Sequence, residues 1–193
     1  MNWISRKQIE YKGKEHSIEI IRPTYQNDST VPYLGGNLKL NIIRSYSTDK
    51  DTVEFKNNQL FAFIKTDNKV SVNDTMLKVR VKSLYEKWLS REAIDLFKQK
   101  VLEFSKMINV YPNKIIIKNL RNRWGSVTKG GVLNLNVNLL KTPNEVIDYI
   151  IIHEMCHFII EGHSHHFWEL VRSYFPRYQD TVKWLDLNSS AML

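Results

Sequence analysis

The sequence predicts an α+β protein in which a β-rich N-terminal region precedes a helix, a short β-sheet, a histidine-bearing helix and further C-terminal helices. Three observations carry this. Up to about residue 80, short β-rich or alternating segments are separated by turn residues. From about Trp88, apolar residues recur every third or fourth position. Beyond Thr142, two apolar or amphipathic stretches are bounded by helix start and stop signals. The expected division is a β-rich region over 1–85, packed on a second part over 86–193.

Taken in order, Ile18-Glu19-Ile20, Leu38 to Ile42 and Leu60 to Ile64 read as strands. Asn57-Asn58, between Val53-Glu54-Phe55 and Leu60, marks a hairpin turn, while Asn27-Asp28-Ser29 and Gly35-Gly36 mark loops. Leu89, Ala93, Phe97, Val101, Phe104 and Ile108 describe one face of an amphipathic helix that starts near Trp88 and ends before Pro112. Two strands follow, Ile115-Ile116-Ile117 and Val132 to Leu139. The second alternates, with Leu133, Leu135, Val137 and Leu139 on one face. Asn134, Asn136 and Asn138 form the other face, expected near solvent or substrate, and the strand is expected to form the edge of a cleft. Between the strands lies a polar loop with one large aromatic, Arg121-Asn122-Arg123-Trp124-Gly125-Ser126.

Thr142-Pro143-Asn144-Glu145 reads as a capping box, with Thr at the N-cap, Pro at the first helical position and Glu at the third. The helix it opens is expected to run to about Glu161, with Gly162 as a left-handed stop. A second helix is expected from near Ser164 to Pro176, and a short third from Tyr178 to Leu185.

With 193 residues, 42% hydrophobic and 25% charged, the chain is long enough for a real core without disulfide staples. One cysteine, Cys156, precludes an internal disulfide and suits a reducing compartment; next to a histidine but off ligand spacing, it reads as packing. The first seven residues show no apolar signal region. The most apolar run, Val146 to Ile160, is interrupted by Asp148, His153, Glu154 and His157, so it reads as a buried helix and not a membrane span. A cytoplasmic protein with no membrane partner is expected. The net charge of +8 is unevenly spread: Phe104 to Asn144 contains Lys106, Lys114, Lys118, Arg121, Arg123, Lys129 and Lys141 and no acid. Such a basic segment favours an anionic ligand, either a nucleotide or a nucleic acid.

His153-Glu154-Met155-Cys156-His157 lies inside the capped helix. Histidines four apart are separated by about 40° around the axis and about 6 Å along it, so both can face one metal ion. Glu154 stands beside the first of them, placed to act on a metal-bound water as general base. Five of the six histidines fall between positions 153 and 166. Glu161 shares the helical stripe but is about 12 Å along the axis from His153, too far for the same ion. If the chain turns at Gly162, His163 can swing back to the metal. It is therefore the favoured third ligand, with His165 and His166 behind it, and Glu169 if the site followed a two-His-one-Glu pattern.

These residues resemble the YgjP-like metallopeptidases, relatives of the WLM-type and SprT-type proteases among the zincins. The resemblance covers about Val81 to Leu185. It rests on Arg123-Trp124-Gly125-Ser126, Leu133-Asn134-Leu135-Asn136, Pro143 with Val146-Ile147-Asp148-Tyr149, the His153 to His157 motif, His163-Ser164 with Phe167-Trp168, and Pro176-Arg177-Tyr178 ahead of Trp184-Leu185. Val127 stands where the family usually has cysteine, and Gly162 where asparagine is common. The resemblance implies a zincin-like fold, with His153, His157 and His163 holding one zinc ion per chain and Glu154 as catalytic acid/base. The function expected is hydrolysis of a peptide or protein substrate. Arg121, Arg123, Trp124, Tyr174 and Tyr178 are the candidate substrate-binding residues, with Arg123 and the two tyrosines also candidates for oxyanion stabilisation. The alternatives are a nucleoside triphosphate pyrophosphohydrolase using the same metal and a non-catalytic zinc-containing nucleic-acid-binding module. The oligomeric state is not legible.

Overall fold

A computed structural model of the chain describes residues 10–11, 14–15, 23–46, 49–66 and 74–192. The strand expected at Ile18 to Ile20 and the N-terminal seven residues lie outside these. The architecture is mixed α+β, with a β-rich N-terminal region and four helices in the remainder.

Strands β1 (Glu10–Tyr11) and β2 (Lys14–Glu15) form a small antiparallel pair. The main N-terminal sheet contains β3 (Thr30–Tyr33), β4 (Gly36–Ser45), β5 (Thr52–Lys56) and β6 (Gln59–Lys65), in the order β3-β4-β6-β5. The hairpin at Asn57-Asn58 forms as the sequence indicates. Both residues take positive φ, 50° and 57°, the geometry whose twist matches the flanking antiparallel strands. Val31, Leu38, Leu40, Leu60, Ala62 and Ile64 bury the face turned to the core.

That face packs on α1 (Asp74–Ile108), which begins fourteen residues before the expected start near Trp88. Val81, Leu84 and Tyr85 continue the buried stripe of Trp88, Leu89, Ala93, Phe97, Val101 and Phe104. The second turn is fixed from outside the stripe. Arg80 pairs with Asp51 and donates to the Lys65 carbonyl at 2.8 Å, a contact that helical periodicity cannot register. The helix passes through position 85, so the two expected parts share it. Tyr85 Oη donates to the Pro32 carbonyl at 2.6 Å, tying helix to sheet.

The second sheet consists of β7 (Lys114–Lys118), β8 (Gly125–Val127) and β9 (Val132–Asn136), in the order β7-β9-β8. Three expectations are corrected here. The strand at Val132 stops at Asn136 instead of running to Leu139, and a 3-10 turn occupies Val137–Lys141. Asn136 causes the break: its side-chain oxygen accepts from the Asn138 backbone N–H at 3.0 Å, a local bond that competes with the ladder. The asparagine face is also buried. Asn136 donates through Nδ2 to the carbonyls of Leu120 at 2.7 Å and Arg123 at 2.9 Å, and Asn134 to that of Ser126 at 3.3 Å. These amides satisfy the loop that crosses them, so they face neither solvent nor substrate. Because β9 is paired on both sides, it cannot be the cleft edge; that position belongs to β8.

Helix α2 (Asn144–Cys156) starts after Pro143. Thr142 is not its cap: the hydroxyl donates back to the Leu139 carbonyl at 2.8 Å, closing the preceding 3-10 turn. The backbone N–H groups of Val146 and Ile147 bond instead to the Pro143 carbonyl. The N-terminal sheet buttresses this corner, with Leu34 N–H donating to the Leu140 carbonyl at 2.8 Å. Helix α2 ends at Cys156, earlier than expected, and residues 157–160 continue as tight turns. Helices α3 (His165–Tyr174) and α4 (Tyr178–Met192) follow, α4 reaching well past the expected Leu185. Among the described residues, no helix is long and apolar enough to cross a membrane.

Candidate metal centre

Helix α2 is apolar nearly all round, burying Val146, Ile147, Ile150, Ile151, Ile152, Met155 and Cys156. Its last turn therefore carries His153 and Glu154, with His157 at the C-cap, at the end of a central, rigid element. Gly162 then takes φ +80°, where a side chain would be strained, and the chain reverses. This turn returns His163 to His153, as the spacing implied. Ser164 caps α3 by accepting from Phe167 N–H at 3.3 Å, fixing the exit of the loop.

Among the described residues, the side-chain donor atoms of His153, His157 and His163 lie within 4.8 Å of one another, close enough that together they could hold a metal ion. His153 Nε2 and His163 Nε2 are 3.2 Å apart. Two nitrogens bound tetrahedrally at about 2.0–2.1 Å would be separated by about 3.3 Å. The far sides of two rings are also engaged. His157 Nδ1 donates to the Ile160 carbonyl at 3.3 Å, and His153 Nδ1 lies 3.3 Å from Tyr149 Oη. Such outer bonds fix the ring and turn Nε2 toward an ion. Three imidazoles with an open side fit a divalent metal that keeps one position for water.

Helix α3 supplies the floor. Phe167, fully buried, contacts all three imidazoles, its ring centre 5.0 Å from His153, 4.4 Å from His157 and 4.9 Å from His163. Trp168 stacks on His163 at 5.5 Å. The alternative ligands sit elsewhere: His165 and His166 both contact Glu169, at 3.1 and 3.4 Å, on the exposed side of α3.

Burial sets the electrostatics. It holds the His153 imidazole down to about 3, reinforced by His157 and His163, so the ring is a neutral donor. The His157 imidazole is lowered by the same cause. Burial pushes the Glu154 carboxyl up to about 7, against a downward pull from Arg123. The Cys156 thiol is pushed up to about 12 by burial, which makes it packing and not a nucleophile.

Glu154 is wedged against β8. A Cβ on Gly125 would lie 2.6 Å from Glu154 Cγ and 2.8 Å from Oε1, so only glycine leaves this carboxyl where it is. Two cavities meet at this point, sharing Gly125, His153, Glu154 and His163. One, of about 770 Å³, runs along Ser126, Val127 and Thr128 of the β8 edge and includes Lys129. The other, of about 920 Å³, extends between α2, α3, α4 and the loop before β8, with Arg121 and Arg123 among its lining residues.

The remaining candidates fall differently. Trp124 is a core residue, its Nε1 donating to Ser189 Oγ at 3.0 Å, with part of the ring in the wall of the larger cavity. Neither Tyr174 nor Tyr178 lines either of these two cavities; Tyr178 is buried and stacks on Trp168 at 5.3 Å. Tyr149, which the sequence reading passed over as a site residue, does reach the centre. Its position four residues before His153, on the same face of α2, is the signal that would have found it.

The chain is similar over part of its length to two solved metallopeptidase zymogens. Jannalysin of Methanocaldococcus jannaschii is 28% identical, with 46% of this chain and 93% of that chain covered at a TM-score of 0.41. Abylysin of Pyrococcus abyssi is 22% identical, with 50% and 99% covered at a TM-score of 0.44. Comparison with curated proteins finds no match. The family model described as YgjP-like, metallopeptidase domain, matches residues 1–188, nearly the whole sequence and both sheets, and this protein therefore belongs to the YgjP-like family of metal-dependent hydrolases.

Proposed function

We propose that the chain is a zinc-dependent peptidase in which His153, His157 and His163 hold the ion and Glu154 is the general base and acid. The observation that carries this is the convergence of three imidazoles beside a buried carboxyl at the meeting point of two cavities. When bound, zinc polarises the scissile carbonyl and acidifies a water. Glu154 takes the proton from the attacking water and passes it to the leaving amine. Among the described residues β8 pairs only with β9, and its other edge offers backbone groups to an extended peptide, which would add to the sheet as a further strand. Arg123 stands near enough to Glu154 to act on its charge, and we assign it to the developing oxyanion.

Arg121 and Arg123 line one cavity and Lys129 the other, which favours a second reading in which the same site hydrolyses an anionic nucleotide. One experiment addresses both. Zinc-loaded protein and its Glu154→Gln variant are assayed on fluorogenic peptides, nucleoside triphosphates and single-stranded DNA. Peptide cleavage that the variant loses at least a hundredfold, with about one zinc per chain retained, is the expected result. Nucleotide hydrolysis alone would replace the peptidase reading, and undiminished activity in Glu154→Gln would refute both.

A further inference from the structure

The two cavities that meet at Glu154 differ in kind. The one along β8 is bordered by strand backbone and by Lys129 and Glu161, and suits the main chain of a substrate. The other has apolar walls from three helices: Tyr149 and Ile150 of α2, Trp168 of α3, and Val182 and Leu185 of α4. These walls are held in place. Tyr178 stacks on Trp168 at 5.3 Å with 15° between planes and on Tyr149 at 6.4 Å with 18°, so both aromatic walls are braced from behind by one buried ring. The cavity reaches His153, Glu154 and His163, and its volume of about 920 Å³ lies within the range of small-ligand sites. Its exposed charged groups, Arg121 and Arg123 against Asp186, leave one positive charge in excess, whereas the walls between the helices are apolar.

We infer that this cavity is a specificity pocket that accepts a large apolar side chain, aromatic or long aliphatic, from the substrate residue flanking the scissile bond. The inference rests on the peptidase reading for its substrate and on the cavity itself for its chemistry. A side chain entering from the Glu154 end is desolvated against Trp168, Tyr149 and Leu185, whereas Ala leaves the pocket open.

The test uses the zinc-loaded full chain and a series of acyl amino-acid hydroxamates, which bind a metal whatever the natural substrate. Side chains of Ala, Leu, Phe, Lys and Glu are compared by titration calorimetry. Leu and Phe should bind about 10- to 100-fold tighter than Ala, the range expected for burying such a side chain. Val182→Phe, which fills the cavity, should bring the Phe-to-Ala ratio toward one, with zinc content measured alongside. Equal affinities for Ala and Phe in the unmodified protein, or tightest binding by Lys or Glu, overturn the pocket, and that result needs no variant to fold. Hydroxamate discrimination without cleavage of Leu- or Phe-containing peptides would overturn the peptidase reading and leave the pocket standing.

Discussion

Replacing Gly125 with Ala should disable the centre without emptying it. The new methyl carbon would lie 2.6 Å from Glu154 Cγ, 2.9 Å from Cδ and 2.8 Å from Oε1. The strand cannot easily give way, because the two preceding carbonyls are engaged: Trp124 accepts from Asn136 N–H at 2.8 Å and Arg123 from Asn136 Nδ2 at 2.9 Å. Trp124 is pinned further by its bond to Ser189. Glu154 must therefore move, and its Cγ needs about 0.8 Å to regain ordinary contact. A misplacement near 1 Å costs about 100-fold in rate, so kcat should fall by about that factor. Overpacking should lower stability by about 1–3 kcal/mol. The three histidines are untouched, so zinc stoichiometry should stay near one per chain. The assay is peptide hydrolysis with metal analysis, run as a cycle with Glu154→Gln. If Gly125 acts through Glu154, adding Gly125→Ala to Glu154→Gln costs little more. A single Gly125→Ala variant within threefold of the unmodified kcat, with full zinc, would refute the reasoning.

Two other perturbations probe the surroundings. Tyr149→Phe removes the hydroxyl 3.3 Å from His153 Nδ1 and should weaken zinc binding about 10- to 100-fold in a competitive chelator titration; an unchanged Kd would show that the hydroxyl does not orient the ring. Far from the site, the Arg80 guanidinium beside Asp51 holds its carboxyl below the usual carboxylate range, so this contribution is present above about pH 4, where the unfolded carboxyl ionises, and is lost as pH falls through the folded value. Asp51→Asn should cost about 1–2 kcal/mol in urea unfolding at pH 7 and progressively less toward pH 3, whereas an equal cost at both pH values would contradict the pairing.

Much of the centre was legible in the sequence because its determinants are local. The i, i+4 spacing of His153 and His157 needs only a helix, and the positive φ of Gly162 marks the turn that brings His163 back beside His153. The Asn57-Asn58 hairpin and the Ser164 start of α3 are likewise written in a few adjacent residues. The same local reading misjudged Thr142, whose hydroxyl had two plausible carbonyl or amide partners and chose the one behind it.

What only the tertiary structure decided concerns surfaces brought together from distant positions. Strict alternation over Val132 to Leu139 says that two faces differ, but not what covers the polar one. The amides of Asn134 and Asn136 are spent on the carbonyls of the loop 120–126, and this burial turned an expected substrate face into a structural one. The cleft edge passed to β8, a three-residue strand too short to carry a period. Gly125 is a glycine because Glu154, twenty-nine positions later, occupies the space of its side chain. The sequence by itself determined that His153 and His157 can face one point, since helical geometry fixes them about one turn apart. The fold decided what lies against those atoms, since close packing is a relation between segments that no single segment records.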